Sequence, residues 1–320
     1  MRTGTETVRL GAAMDGGGRL PRPPRLLVIA NPLAGTGAGR RLLTATLELL
    51  RANGCQLLIA EARTPEEIGA IAGGTGPEDA DIVVAAGGDG TINAAASGLI
   101  AAASPLPLGV LAVGTANVLA LEMGLTRHPQ SLAEPILYGQ VRPVTPIAAA
   151  GGYALLMVGV GFDAAVVAAL ADRPQMKWRL GKLAYLQPTL AQAFRYGFPP
   201  IDLLIDGQPA RAVAAIAVNG RFYGGAFRAV PDGDINRPGM NVVLLGRGGA
   251  INLARYGVAL GLGRLARLGD VRVVPARSVE ILAPRGLSVQ ADGDPIATTP
   301  TRIRVADRSL NLLWPMMPRR

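Results

Sequence analysis

Cysteine and histidine each occur once in this 320-residue chain, as Cys55 and His128. A disulfide framework, a multi-cysteine zinc site and a histidine-based triad therefore lack their raw material. Any metal has to be held by oxygen, which points to magnesium or calcium. Lysine is scarce too. Apart from Lys177 and Lys182, the 32 cations that outnumber 23 acids and give a formal net charge of +9 are arginines. Aromatic residues make up only 4%. No basic run is interleaved with the rings that a base-stacking platform needs, so nucleic acid is not an expected partner. The cationic surplus suits an anionic membrane surface or a phosphate ligand.

The first 24 residues contain no apolar h-region, so no secretory signal is visible and residues 1–24 read as a disordered leader. Residues 94–121 carry no charge, a length that fits a membrane-spanning helix. Pro105, Pro107, Gly109, Gly114 and Asn117 interrupt that stretch, and a helix, a turn, a buried strand and a polar glycine turn account for it better. The expected location is cytoplasmic.

About half of the residues are apolar, enough for a substantial core, and the length favours two domains. Residues 26–30, 57–60, 82–86 and 108–112 read as strands, with helical periods after the first, after Thr64 and from Ile92. The uninterrupted apolar run at 82–86 suits a parallel strand covered on both faces. Residues 25–140 therefore read as an open, mostly parallel α/β domain, whose ligands gather at the carboxyl ends of the strands. From 141 to 305 strand-like segments dominate, separated by Asp206-Gly207, Pro238-Gly239 and Asp292-Gly293, which predicts a β-sandwich. Helical insertions interrupt it near 175–198 and 251–268. Residues 306–320 are expected to pack back onto the first domain.

The segment VVAAGGDGTINAAASGL joins a buried strand to a helix through Gly87, Gly88, Asp89, Gly90 and Thr91. Glycines let a backbone approach polyphosphate, and the helix behind them offers unpaired N–H groups and partial positive charge. A carboxylate in such a turn repels phosphate but suits a magnesium ion, directly or through water. Asp89 is the candidate. Asn31-Pro32-Leu33-Ala34-Gly35 and Gly114-Thr115-Ala116-Asn117 are companion turns. GTGAGRRL lacks the Lys-Ser/Thr pair of a Walker A loop, and Thr64 reads equally well as a helix cap.

Taken in order, NPLAGTG, AAGGDGTIN, GTANVLA, GVGFDA, LGKLAYL, NGRFYGGAF and ADGD resemble the diacylglycerol kinase catalytic family, in particular bacterial lipid kinases related to sphingosine and ceramide kinases. The resemblance runs from Leu26 to the C-terminus. It implies an α/β domain akin to that of NAD kinases and phosphofructokinases, a β-sandwich, and an ATP site between them. Carried over motif by motif, Asn31, Thr64, Gly87, Gly88, Asp89, Gly90, Thr91, Ile92, Asn93 and Thr115 would bind ATP, with Mg2+ at Asp89. The family's late Asp-Gly-Glu motif matches Asp292-Gly293-Asp294, making Asp292 the first choice of catalytic base and Asp294 the second. By composition alone, the same dipeptide is an ordinary hairpin turn.

Two departures from the family stand out. Asp294 replaces the usual glutamate. Arg237 and Pro238 occupy the place of an Asp-Gly segment that related bacterial kinases use for a structural magnesium, with Asp232 and Asp234 nearby. Asp163 in GVGFDA is expected to cap a helix, with contact to a lipid head group as the alternative carried by the resemblance. The insertion at 175–198 mixes Lys177, Trp178, Arg179, Lys182, Tyr185, Phe194, Arg195, Tyr196 and Phe198, which suits the interface of an anionic bilayer.

The resulting expectation is an ATP-dependent lipid kinase, peripheral to the inner face of the membrane, phosphorylating diacylglycerol or a related alcohol. A homodimer is left open. The alternatives are an NAD kinase-like phosphotransferase, disfavoured because no Asn-Glu pair follows the GGDGT turn, and an inactive nucleotide- or lipid-binding relative.

Overall fold

The computed structural model describes residues 23–32, 37–171 and 192–316. The expected leader up to residue 22, the Leu33–Gly35 part of the first glycine turn, and Lys177, Trp178, Arg179, Lys182 and Tyr185 lie outside the described residues.

The first unit alternates strand and helix: β1 (Arg25–Ala30), α1 (Gly37–Ala52), β2 (Gln56–Glu61), α2 (Pro65–Gly74), β3 (Ile82–Gly87), α3 (Asp89–Ala101), β4 (Leu108–Ala112), α4 (Val118–Glu122), α5 (Pro129–Tyr138) and β5 (Gln140–Val144). Every residue of β3 and β4 is buried, as the unalternating apolar runs require when helices cover both faces. β2, at the edge, leaves Leu58 and Ile59 exposed. The sheet order is β2-β1-β3-β4, all parallel, and it continues into β20 (Leu310–Trp314) and then β5. The C-terminal strand β20 lies parallel to β4, with Leu312 opposite Leu108, and β5 closes the sheet antiparallel to β20. Trp314 and Leu310 enter the same core as Leu26 and Ile29.

The second unit holds two six-stranded antiparallel sheets. One orders β10 (Gln208–Ala212), β9 (Ile201–Ile205), β16 (Ser278–Ala283), β19 (Thr301–Val305), β6 (Ile147–Ala149) and β7 (Gly152–Ala154). The other orders β15 (Val271–Ala276), β14 (Met240–Leu245), β11 (Ala214–Val218), β8 (Met157–Gly161), β17 (Ser288–Ala291) and β18 (Asp294–Thr298). Their inner faces share a core that includes Ile201, Ile281 and Ile303 from the first and Val158, Val242 and Val289 from the second. β8 and β11 are buried at every position because the outer face of their sheet is covered as well. Ile216, Val218 and Val243 there pack with Tyr256 of α7 (Ala250–Gly261). α6 (Phe162–Ala171) follows β8 directly, and a two-stranded ribbon of β12 (Phe222–Tyr223) and β13 (Phe227–Arg228) lies between α4 and α7. The fold is the expected one, a parallel α/β unit followed by a β-sandwich.

Candidate active site

Two glycine turns meet backbone to backbone at the carboxyl edge of the parallel sheet. Gly87 closes β3, and its carbonyl accepts from Val113 N at 3.0 Å and Gly114 N at 3.2 Å. A Cβ on Gly114 would stand 2.4 Å from Gly88 Cα, and one on Gly87 would stand 2.3 Å from Thr91 Oγ1. Close approach, not a positive φ, therefore fixes glycine at both positions. Asn117 locks the second turn from a left-handed conformation (φ 51°, ψ 51°), its Nδ2 donating to Ala112 O at 3.1 Å and Gly114 O at 3.0 Å. Asn31 joins the same edge through its N–H to Ala86 O. Gly88 begins α3 with no side-chain cap. The first turn of that helix thus has amides that no intrahelical carbonyl satisfies, as an anion site requires.

The remaining residues expected near the nucleotide divide by position. Ile92 is buried in the core, so only its main chain is placed to meet a ligand. Thr115 is exposed on the second turn. Asn93 reaches across to the second unit, Nδ2 donating to Tyr153 O at 3.1 Å, while its Oδ1 is buried without a hydrogen-bond partner among the described residues. Thr64 stands at the far end of the edge, after β2, in a capping box with Glu67: Glu67 N donates to Thr64 Oγ1 at 3.2 Å and Thr64 N donates to the Glu67 carboxylate.

Asp89 and the Asp292 turn face each other from different units. The carboxylate of Asp89 accepts from Val118 N at 3.0 Å and Leu119 N at 3.2 Å, the first amides of α4. Asp292 and Gly293, with φ of 49° and 90°, form the two-residue turn between β17 and β18. An ordinary hairpin turn leaves its aspartate in solvent, but Asp292 folds inward and accepts from Leu155 N (2.8 Å), Leu156 N (3.1 Å) and Met157 N (2.8 Å). Removal from water pushes its pKa up to about 7; the three amides oppose that rise and the charge of Asp89 adds to it. Asp294, two residues on, is exposed, with Oδ2 4.0 Å from where a Cβ on Gly90 would lie.

Behind the turn lies a second acid, half-buried like Asp292. Gln290 uses both ends of its amide, Nε2 donating to Asp163 Oδ2 at 3.1 Å and Oε1 accepting from Gly293 N at 2.9 Å. Asp163 Oδ1 is buried without a hydrogen-bond partner among the described residues. Burial raises its pKa to about 6, with Gln290 opposing. Asp163 was expected as the cap of its helix; instead it lies inside the first turn of α6 and points at Gln290, fitting only because residue 159 has no Cβ, which would stand 1.9 Å from Asp163 Oδ2.

The model of the diacylglycerol kinase catalytic domain matches residues 25–149, and that of the YegS C-terminal NAD kinase beta sandwich-like domain matches residues 156–314. The first unit thus belongs to the diacylglycerol kinase catalytic family. A diacylglycerol kinase of Mycobacterium tuberculosis is 27% identical over 309 residues, covering 91% of this chain and 95% of the relative. A probable YegS-like lipid kinase of an Enterobacter species is also 27% identical, over 91% of this chain and 96% of that protein. A crystal structure of a putative diacylglycerol kinase from Bacillus anthracis superposes with a TM-score of 0.73 at 22% identity, covering 91% of this chain and 96% of that one.

For a member of this kinase family, ATP is the implied phosphoryl donor, and the residues present fit a magnesium ion carried on it. Among the described residues no group of three acids or histidines forms a metal cage. What the junction has instead is two carboxylates whose mutual repulsion a dication relieves, Asp89 and Asp292. The carboxylate of Asp89 is oriented by the amides of Val118 and Leu119, one on each oxygen. In the region of the family's structural magnesium, Arg237 pairs with Asp234 at 3.4 Å, placing a cation beside the acids.

Three contributors escaped the sequence reading. Arg127 donates to Gly114 O at 2.5 Å, bringing a guanidinium to the second turn. Glu122, at the end of α4, is 4% exposed and accepts from Phe222 N at 2.7 Å, from Arg221 N at 2.5 Å and from the Arg221 guanidinium at 3.2 Å, tying α4 to the second unit. Gln290 is the third. None of the three had a signal: Gln290 alternates with Val289 and Ala291, which face the sandwich core, and is buried because α6 covers the other face of that strand.

Proposed function

We propose that this chain transfers the γ-phosphoryl group of ATP to the hydroxyl of diacylglycerol or a related lipid alcohol, with Asp292 as the base. The observation that carries this reading is the meeting of Asp292 with the Asp89 turn, which sets an acid with a pKa of about 7 opposite a glycine turn suited to phosphates. A base poised near neutrality is both sufficiently ionised and sufficiently basic to take a proton from an alcohol.

The triphosphate lies along Gly87–Thr91 and the Gly114–Thr115 turn, its charge met by the amide end of α3. Asn31 and the backbone near Ile92 and Asn93 border it, and Thr64 lies furthest out. Asp89 would hold magnesium, directly or through water, and the ion would supply neutralisation of the phosphate charge. The lipid hydroxyl attacks the γ-phosphorus as its proton passes to an oxygen of Asp292, the bond from phosphorus to the β,γ-bridging oxygen breaks, and ADP departs. Three amides hold the Asp292 carboxylate in place for that transfer. Asp294, exposed and close to Gly90, is the second choice of base. Asp163 Oδ1 offers a buried acceptor to a donor on the lipid head group.

Labelled ATP supplied with mixed micelles of diacylglycerol, with NAD and no lipid in a parallel reaction, tests the reading. Phosphorylated lipid that vanishes in Asp292→Asn is the expected result. Labelled NADP formed without lipid overturns the acceptor assignment, and an Asp292→Asn protein as active as the parent removes the base.

A further inference from the structure

Helix α7 turns an apolar face to solvent. Its anchored side is conventional: Tyr256 is buried, its hydroxyl donating to Asp270 Oδ2 at 2.6 Å and accepting from Arg247 N at 3.1 Å, with Arg255 ion-paired to the same carboxylate. On the opposite side Ile251 is 86%, Val258 65% and Leu262 66% exposed. At 100° per residue, positions 251, 258 and 262 fall within about 40° of one another, so they form one stripe. A surface helix is expected to present polar residues there.

The uncompensated charge around the stripe is cationic, since Asp270 is taken up by Arg247 and Arg255. From Arg247 to Gly269 there is no acidic residue, while Arg247, Arg255, Arg264 and Arg267 are present. Arg264 and Arg267 are exposed and make no ion pair among the described residues, and β13, packed against α7, adds the exposed Phe227 and Arg228. A second copy of this arginine-rich face would repel it. An anionic bilayer complements it, apolar side chains entering the acyl boundary and guanidinium groups meeting lipid phosphate.

A chain of contacts runs from the start of α7 to the active site. A Cβ on Gly248, just before α7, would stand 2.3 Å from Phe198 Cβ, so Phe198 packs on the entry to the helix. Phe198 stacks on Phe162 with ring centroids 5.6 Å apart, and Tyr196 meets both rings edge-on. Phe162 adjoins Asp163, and Gln290 links Asp163 to the Asp292 turn. We infer that the Ile251–Val258–Leu262 face of α7, with Arg264 and Arg267, is the surface on which this chain docks onto an anionic bilayer, beside an aromatic path from the membrane to Asp292. The inference rests on the lipid kinase reading for its purpose and on the helix face for its location.

The test uses the full chain and vesicles of phosphatidylcholine with or without phosphatidylglycerol. Sedimentation of the parent with the anionic vesicles, weakened by salt and by omission of phosphatidylglycerol, is expected. Ile251→Asp/Val258→Asp and, separately, Arg264→Ala/Arg267→Ala should each lower vesicle affinity by about tenfold or more. Both should retain parental circular dichroism and parental turnover of a short-chain diacylglycerol dispersed in water. Unchanged vesicle binding by both variants overturns the docking face even if the parent phosphorylates lipid. Loss of binding in the variants upholds it even if no lipid is ever phosphorylated, in which case the kinase reading fails by itself. A parent dimer that the Ile251→Asp/Val258→Asp change converts to monomers, with vesicle binding intact, assigns the stripe to a second copy and ends the proposal.

Discussion

Asp89 and Asp292 come from opposite ends of the chain, yet they stand close enough for the charge of the first to raise the proton affinity of the second. Neither residue is fixed by the other. Asp89 is held by the amides of Val118 and Leu119, and Asp292 by those of Leu155, Leu156 and Met157. Two independently anchored acids thus meet across a junction of two folding units. The free energy stored in their repulsion is available to whatever cation enters.

The first consequence is a pH profile. Asp292 must be ionised to accept a proton, so kcat/KM should climb with pH and level off above an inflection near 7. Asp292→Asn should lower kcat by about 10²- to 10⁴-fold and leave the residual rate without that inflection. Steady-state kinetics across pH 5–9 (roughly the range a base of this kind spans) decide the matter. An inflection that persists in the variant assigns the base elsewhere, with Asp294 the next residue to replace.

Stability should move the other way. A carboxyl group whose folded pKa is raised from 3.8 to about 7 stabilises the folded state fully below the unfolded value, and that contribution is lost as pH rises through about 7. Denaturant unfolding should therefore show the parent weakening between about pH 4 and pH 7, where the folded protein binds the proton more tightly than the unfolded chain. Asp292→Asn removes the slope and should be more stable than the parent at pH 8 by on the order of 2–4 kcal/mol. A variant less stable than the parent at pH 8 would mean that the amide bonds to the carboxylate outweigh its desolvation.

Much of this arrangement is written locally. The parallel strands and the cap at Thr64 follow from unalternating apolar runs and a Thr-x-x-Glu spacing and stand where those signals put them, and the turns at Gly87 and Gly114 follow the strands as expected. Other features depend on contacts that no window of sequence contains. The helix read over 251–268 stops at Gly261, where Gly263 takes a φ of 64° and a short 3-10 turn follows at Leu265–Arg267. Asp163 looks like a cap because an acid after Gly-Phe opens a helix; only the assembled sheet brings Gln290 against it. Glu122 reads as a surface acid on a short helix, and its burial follows from Arg221 and Phe222 arriving from the second unit. Pairwise encounters of single polar residues leave no periodic trace.

Two glycine substitutions with opposite signs test the close packing of the turns. Gly114→Ala places a methyl group 2.4 Å from Gly88 Cα, where backbone must move, and should cost about 1–3 kcal/mol together with a loss of ATP affinity. Gly257→Ala, within α7 and with nothing within 4 Å of its Cβ position, should stabilise by about 0.5–1 kcal/mol and leave ATP binding unchanged. Urea unfolding and calorimetric titration of ATP measure both. Equal behaviour of the two variants would mean that the apposition of Gly88 and Gly114 carries no special demand.

Asp163 separates acceptor recognition from phosphoryl transfer. Its Oδ2 is engaged by Gln290, while Oδ1 is buried without a partner among the described residues, an uncompensated acceptor whose desolvation a donor on the lipid would offset. Asp163→Asn converts the group from a charged acceptor to a neutral amide, so KM for the lipid should rise by about 10- to 100-fold, the loss of a hydrogen bond to a charged group, with KM for ATP unchanged. Because burial lifts its pKa to about 6, the parent should bind lipid progressively more weakly as pH falls through 6, and the variant should lose that dependence. A purely structural role predicts a different pattern: KM for both substrates would shift together with stability. Parallel titrations of lipid and ATP at pH values on either side of 6 distinguish the two, and an unchanged lipid KM in a well-folded Asp163→Asn protein removes Asp163 from the acceptor site.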